Sequence, residues 1–284
     1  MMILIVVLAV LKTCGQEDKG NLELSLSANG NPSLVLQRGY PLTLMVSAVN
    51  PAARQAALLL LMAEEDPEAL PAAQREILEE QALGIAFGSR ENPWYDIVRF
   101  RITYLSDNRV VPLALARMKP FAGEQILLGS DNAAIAWFGA DPGVTRTLPP
   151  GSYHLLAYVP PQPGLNDDTL WSEPVSLKTT DPPLDDFLLL DDESFSFVVQ
   201  YWLKRDECLN AEALFSSLPA ERKENDAFFA LQGEMYECLG DDVRALRYYR
   251  EALDRYRQSP AYEPPEPLWE KIHELQERIG KINP

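Results

Sequence analysis

Histidine, the side chain most often used to move protons near neutral pH, occurs at only two positions, His154 and His273. His273 and Glu274 begin a pattern that a zinc-binding helix completes with a second histidine four residues after the first. Glu277 stands at that position instead. A lone histidine does not make a zinc site, and serine catalysis needs a histidine partner. We therefore expect no metal site and no histidine-dependent chemistry.

Carboxylates are the other side chains that could act as acids or bases, and the chain has 42 Asp and Glu residues. Two carboxylates can cleave a glycosidic bond, but a chain this acidic brings many pairs together by chance. The sequence has no Gly-x-Ser-x-Gly elbow, no Gly-rich phosphate loop and no Cys-x-x-Cys. We therefore expect no catalytic residues, no cofactor and no enzymatic activity, and a small-molecule ligand is not expected.

Tryptophan rings on a sheet surface can stack against sugars, and the chain has five tryptophans. Trp137 and Trp171 fall in predicted strands, where packing in the core is the default use of such a ring. A carbohydrate-binding protein or a hydrolase with its site on the β part nevertheless remains an alternative.

The charge of the chain argues against nucleic acid as a partner. Lys and Arg number 25 against 42 Asp and Glu, which gives a formal net charge of −17. Contacts to a phosphate backbone require clustered Lys and Arg, and the sequence shows no basic stripe.

The N-terminal residues predict export. The apolar run from Ile3 to Val10 is too short for a transmembrane helix and has the length of the apolar core of a signal peptide. Leu11, three residues before Cys14, completes a segment that resembles a bacterial lipoprotein signal. The resemblance implies a lipid anchor on Cys14, a location in the cell envelope (periplasmic or cell-surface), and a signal peptide with tether over residues 1–20. A plain cleaved signal and a buried N-terminal strand are the other interpretations.

Residues 21–179 show mostly the period-two pattern of β-strands. Residues 98–104 alternate apolar and polar side chains, and a helix-favouring segment over about 52–83 interrupts the strands. The stretch from Leu148 through Gly151 and Tyr153 resembles the late strands of immunoglobulin-like sandwiches. That resemblance implies an Ig-like β-sandwich with a helical insert, in which the Tyr153 hydroxyl caps a corner.

Residues 180–193 are rich in Asp and Pro and predict an acidic linker, and residues 194–284 read as helices. Within them Phe195 and Phe215 recur 34 residues later as Phe229 and Tyr249. The second copy resembles a tetratricopeptide repeat at positions Phe229, Gly233, Tyr236, Gly240, Ala245, Tyr249, Ala252 and Leu253.

The repeat resemblance implies a module with a terminal capping helix whose concave face binds a protein or peptide. The first helix of each repeat supplies the candidate partner-binding residues, Tyr201, Lys204, Glu234 and Glu237. The alternative is that the helices pack on the β part and bind nothing. Cys208 and Cys238 lie near helix ends, where they either form a disulfide or stay as buried thiols.

The sequence as a whole therefore predicts a multidomain protein, an Ig-like β-sandwich followed by an all-α module. We expect a non-enzymatic envelope lipoprotein that acts as a protein–protein interaction scaffold and touches the membrane through its lipid anchor. The alternatives are an envelope carbohydrate-binding protein or hydrolase, and a structural subunit of an envelope assembly.

Overall fold

The structure, a computed structural model, describes residues 22–65, 71–120, 123–162, 167–258 and 266–282. It is a mixed α/β structure, 44% helical and 27% strand, in which several sheets precede a helical module. The expected Ig-like β-sandwich with a separate all-α module is therefore wrong. Short helices lie between the strands, where they are too short to show a helical period, and the helical module packs directly on strand ends.

The strands of the described residues are β1 (Glu23–Ala28), β2 (Ser33–Gln37), β3 (Leu42–Val49), β4 (Ile85–Phe87), β5 (Arg99–Tyr104), β6 (Arg109–Val111), β7 (Ala116–Met118), β8 (Ile126–Leu128), β9 (Ala134–Ala140), β10 (Gly151–Val159), β11 (Leu170–Trp171) and β12 (Val175–Thr180). One sheet has the order β1-β3-β9-β7, and a second has the order β2-β12-β10-β5-β6, with β11 paired to β10. Strands β4 and β8 form a third, two-stranded sheet. The β2–β12 pair is parallel and the other pairs are antiparallel.

Alternate side chains of the two larger sheets meet in one core. Leu24 of β1 and Leu155 of β10 belong to the same buried cluster, because every second residue of a strand points to the same face. Tyr153 is fully buried in this core, and its hydroxyl donates a hydrogen bond to the Pro149 carbonyl oxygen. The hydroxyl thus caps the corner before β10, as the sequence predicts.

The helices are α1 (Pro51–Glu65), α2 (Ala72–Leu83), α3 (Trp94–Ile97), α4 (Pro142–Thr147), α5 (Asp192–Lys204), α6 (Cys208–Ser216), α7 (Ala220–Lys223), α8 (Ala227–Cys238), α9 (Asp242–Gln258) and α10 (Glu266–Ile282). Helices α5 to α10 are the helical module. Among the described residues, no helix combines the length and apolar character needed to cross a membrane.

Close helix packing in the module depends on small residues. A Cβ atom added to Gly233 on α8 would lie 2.5 Å from the ring of Tyr249 on α9. Gly240 joins the two helices with a φ angle of +76°, a conformation that glycine adopts without strain. These contacts bring α8 and α9 together as a hairpin, against which α10 packs.

Hydrogen bonds connect the helical module to the β part. The Lys119 N–H, just after β7, donates to the Lys204 carbonyl oxygen at the end of α5 over 2.6 Å. The Tyr40 hydroxyl donates to the Ser194 carbonyl oxygen over 3.0 Å. In the acidic segment between the two parts, Asp181 pairs with Arg38. This segment therefore lies against the β part.

Candidate partner-binding groove

A groove with a volume of about 930 Å³ runs along one side of the helical module. Helices α5, α8 and α10 line it together with the chain after β7. The lining side chains are Lys119, Pro120, Gln200, Leu203, Lys204, Asp206, Glu234, Glu237, Cys238, Lys271 and Arg278. On each helix the lining residues share a face, because residues three, four or seven positions apart lie on the same side of a helix. We call this feature the partner groove.

Glu237 is the centre of a charged cluster in the groove. Its carboxylate accepts hydrogen bonds from Lys271 at 3.1 Å, from Arg278 at 3.0 Å and from the Tyr249 hydroxyl at 2.9 Å. Burial raises the pKa of Glu237, but the hydrogen bonds from Lys271 and Tyr249 outweigh it, so the pKa lies below its usual value. Glu237 is therefore ionised and joins α8, α9 and α10.

Glu234 and Lys204 differ from this cluster because each lacks an ion pair with the described residues. Both side chains are exposed. The groove walls restrict the hydration of Glu234, which raises its pKa, although the positive charges of Lys271 and Lys204 oppose this effect. The Lys204 ammonium lies 5.1 Å from the ring centre of Trp137. The groove therefore offers one negative and one positive group to an incoming molecule.

An ion pair and a disulfide lie beside the groove. Lys119 pairs with Asp206 at 2.7 Å, and Cys208 forms a disulfide with Cys238. Asp206, Cys208 and Cys238 also place three possible metal-ligand atoms within 4.8 Å of one another. In the disulfide the two sulfur atoms are bonded to each other, so no thiolate remains to hold a metal ion.

Three of the four sequence-predicted binding residues, Lys204, Glu234 and Glu237, come together in the groove. Tyr201 does not, since it is only 1% exposed and its hydroxyl donates to the Asp141 carboxylate. Burial, followed by the hydrogen bond to Asp141 and then by the charge of Asp141, raises the pKa of Tyr201. Its position makes it a contact between α5 and the β part.

Sequence reasoning missed Lys119, Lys271 and Arg278 as groove residues. Lys271 and Arg278 lie seven residues apart on the last helix, a spacing that signals a shared face. Lys119 carries no such signal, because it reaches the groove from the β part. Cys14, the predicted lipidation site, lies outside the described residues.

The chain was compared with known proteins. No family model and no curated protein sequence matches it. Among known structures, a family 123 glycoside hydrolase from Clostridium perfringens, studied for glycolipid glycan hydrolysis, is similar over 77% of this chain with 9% sequence identity. The TM-score is 0.33, and the match spans 36% of that structure, about a third of its length.

This neighbour corrects one expectation from the sequence. The expected absence of enzymatic activity is contradicted by this match to a hydrolase. A TM-score this low says nothing about which reaction, substrate or residues would be involved.

Proposed function

We propose that this chain is a binding protein that holds a short segment of a partner protein in the partner groove. The observation that carries the proposal is the pair of unpaired charges, Glu234 and Lys204, in a groove of about 930 Å³. Grooves of this size accommodate ligands larger than a single amino acid. Helices held together by Glu237 and by the disulfide preorganise the walls, which lowers the entropic cost of binding.

The charges of the groove define the chemistry of the segment. An ionised group that a ligand covers must find a partner, because removing its water without compensation is costly. A segment that covers Glu234 and Lys204 therefore brings a cation to the first and an anion to the second. Restricted hydration, the main cause of the raised pKa of Glu234, disfavours its charge, and a cation on the segment would stabilise that charge.

Selection from a random peptide library tests the proposal. We expect peptides that bind the wild-type chain to carry a Lys or Arg at a fixed distance from an Asp or Glu. Fluorescence anisotropy with one such peptide should show at least tenfold weaker binding to Glu234→Lys and to Lys204→Glu. Glu274→Lys, an exposed position of α10 outside the groove lining, and Lys178→Glu on β12 are the matched controls. Selection of peptides without a charge pattern, or equal losses in the controls, would contradict the proposal.

We also propose that the chain is exported and anchored to a membrane through Cys14. The disulfide between Cys208 and Cys238 supports an oxidising compartment, where such bonds form and persist. Expression in a bacterial host, with intact mass and membrane fractionation beside Cys14→Ala, tests this. We expect a mature chain that begins at Cys14 with added acyl mass, and loss of membrane association in the variant. An unmodified soluble chain in both cases would rule out the anchor.

A further inference from the structure

Three side chains form a row across the outer face of the six-stranded sheet. The register pairs Tyr158 of β10 with Arg99 of β5 on one side and with Trp171 of β11 on the other. Directly paired residues point to the same face, so the three side chains lie side by side. Trp171 is 44% exposed, and its ring centre lies 4.7 Å from that of Tyr158. The core packing that the sequence predicts for Trp171 is therefore wrong.

The same face is positively charged in a strongly acidic chain. Arg101 lies two residues beyond Arg99 on β5, and Lys178 projects outward from β12. In the described residues, neither Arg101 nor Lys178 forms an ion pair. The outward positions of the four strands contain no carboxylate: Arg99, Arg101, Thr103, Ser152, His154, Leu156, Tyr158, Trp171, Ser176 and Lys178. The nearest carboxylates to Trp171 in sequence, Asp168 and Glu173, lie in the loops on either side of β11.

We propose that this surface, the sheet face, binds an acidic oligosaccharide. The flat apolar side of a sugar ring would stack on the exposed Trp171–Tyr158 pair, as apolar groups do on aromatic faces. The guanidinium groups of Arg99 and Arg101, whose Cα atoms lie about 7 Å apart along the strand, would bind the carboxylates of the sugar chain. The Arg99 guanidinium also donates to the carbonyl oxygens of Asp96 and Val98, which leave its positive charge uncompensated. Cations without an ion pair favour an anionic ligand over a neutral one.

Single-stranded nucleic acid also combines stacking rings with negative charge, but it fits this face less well. Affinity for a phosphate backbone grows with the number of Lys and Arg contacts, and the face has two arginines and one lysine. The net charge of −17 on the whole chain opposes the approach of a polyanion with one charge per nucleotide. A sugar chain that carries fewer charges and offers more ring surface matches the face better.

Calorimetric titration of the full chain with an oligogalacturonate in which half of the carboxylates are methyl esters, and with the fully esterified, uncharged oligomer of the same length, tests this site. We expect binding of the acidic oligosaccharide alone, weakened by added salt because the charges are exposed. Trp171→Ala and Arg101→Ala should each weaken binding at least tenfold, whereas Trp171→Phe, which keeps a ring, should stay within threefold. Trp269→Ala (39% exposed, on α10) and Arg90→Ala (95% exposed) are matched controls that should bind like wild type.

The sheet face and the partner groove share no residue, so a test can refute one proposal without touching the other. Peptide binding should persist in Trp171→Ala, and sugar binding should persist in Glu234→Lys. Equal affinity for the neutral sugar, no binding of the acidic one, or displacement by oligothymidylate at equal concentration would each overturn the proposal. Loss of sugar binding in Trp269→Ala to the same degree as in Trp171→Ala would overturn it as well. Thermal unfolding of each variant separates a lost contact from a lost fold.

Discussion

Replacing Gly233 with alanine tests whether α8 and α9 pack as closely as described. The new Cβ atom would lie 2.5 Å from two carbon atoms of the Tyr249 ring. Tyr249 is 2% exposed, and its hydroxyl is held by Glu237 at 2.9 Å, so the ring has little freedom to move. The helix α8 must therefore shift against α9.

Two opposing effects set the size of the change. Alanine in a helix interior is about 1 kcal/mol more favourable than glycine. Overpacking a well-packed interior costs about 1–3 kcal/mol. Subtracting the helix preference from the packing cost leaves a net loss, and we expect the free energy of unfolding to fall by up to about 2 kcal/mol.

Gly280 on α10 is the matched control, because nothing lies within 4 Å of a Cβ atom added there. Gly280→Ala should therefore leave stability unchanged or raise it by at most about 1 kcal/mol. Differential scanning fluorimetry should show Gly233→Ala unfolding up to about 8 °C below wild type and below Gly280→Ala, given roughly 2–4 °C per kcal/mol for a chain of this size. A Gly233→Ala protein as stable as the Gly280→Ala protein would refute the close approach of the two helices.

Three further predictions concern the groove. Glu237 has a lower pKa in the folded state than its value of 4.5 in the unfolded state. The ionised side chain therefore stabilises the fold above pH 4.5, and this stabilisation is lost as pH falls through the lower folded-state pKa. Urea unfolding at neutral pH should show Glu237→Gln destabilised by about 1–2 kcal/mol. The difference from wild type should shrink as pH falls below 4.5. The raised pKa of Glu234 changes stability with pH in the opposite direction. Its ionised form lowers the free energy of unfolding once pH rises above 4.5. Glu234→Gln should accordingly unfold at a higher temperature than wild type at pH 7, and a lower midpoint would contradict the restricted hydration of this carboxylate. The disulfide closes a loop over a separation of 30 residues, so Cys208→Ser should lower the free energy of unfolding by about 2–4 kcal/mol, measured under non-reducing conditions. Equal stability of this variant and wild type would show that the bond does not constrain the unfolded chain.

Local spacing was sufficient to predict several parts of this structure. Gly233 and Tyr249 meet as the repeat pattern indicates, and the Tyr153 hydroxyl caps its corner. Lys204 and Glu234 reach one groove because each lies on the first helix of its hairpin. In each case the contact depends on residues close in sequence or on a repeated helical register.

Contacts between distant segments account for what sequence reasoning missed. Tyr201 has the spacing of a groove residue, but its hydroxyl partner Asp141 lies 60 residues earlier, so the side chain turns into the contact with the β part. Trp94–Ile97 is a helix of only 4 residues, too short for a helical period to show. Trp171 is exposed because β11 has only 2 residues and lies beside the end of β10.

The parallel pairing of β2 with β12 has a consequence for the order in which the chain folds. Strand β2 lies near the start of the described chain, and the Gln37 side chain donates to the Pro182 carbonyl oxygen across 145 residues. During synthesis, β2 must therefore wait for nearly the whole β part to emerge before it finds its neighbour. Contacts this distant in sequence form slowly, and they leave strand edges open in the meantime. A nascent form of this chain therefore leaves β2 without its parallel neighbour until β12 has been synthesised.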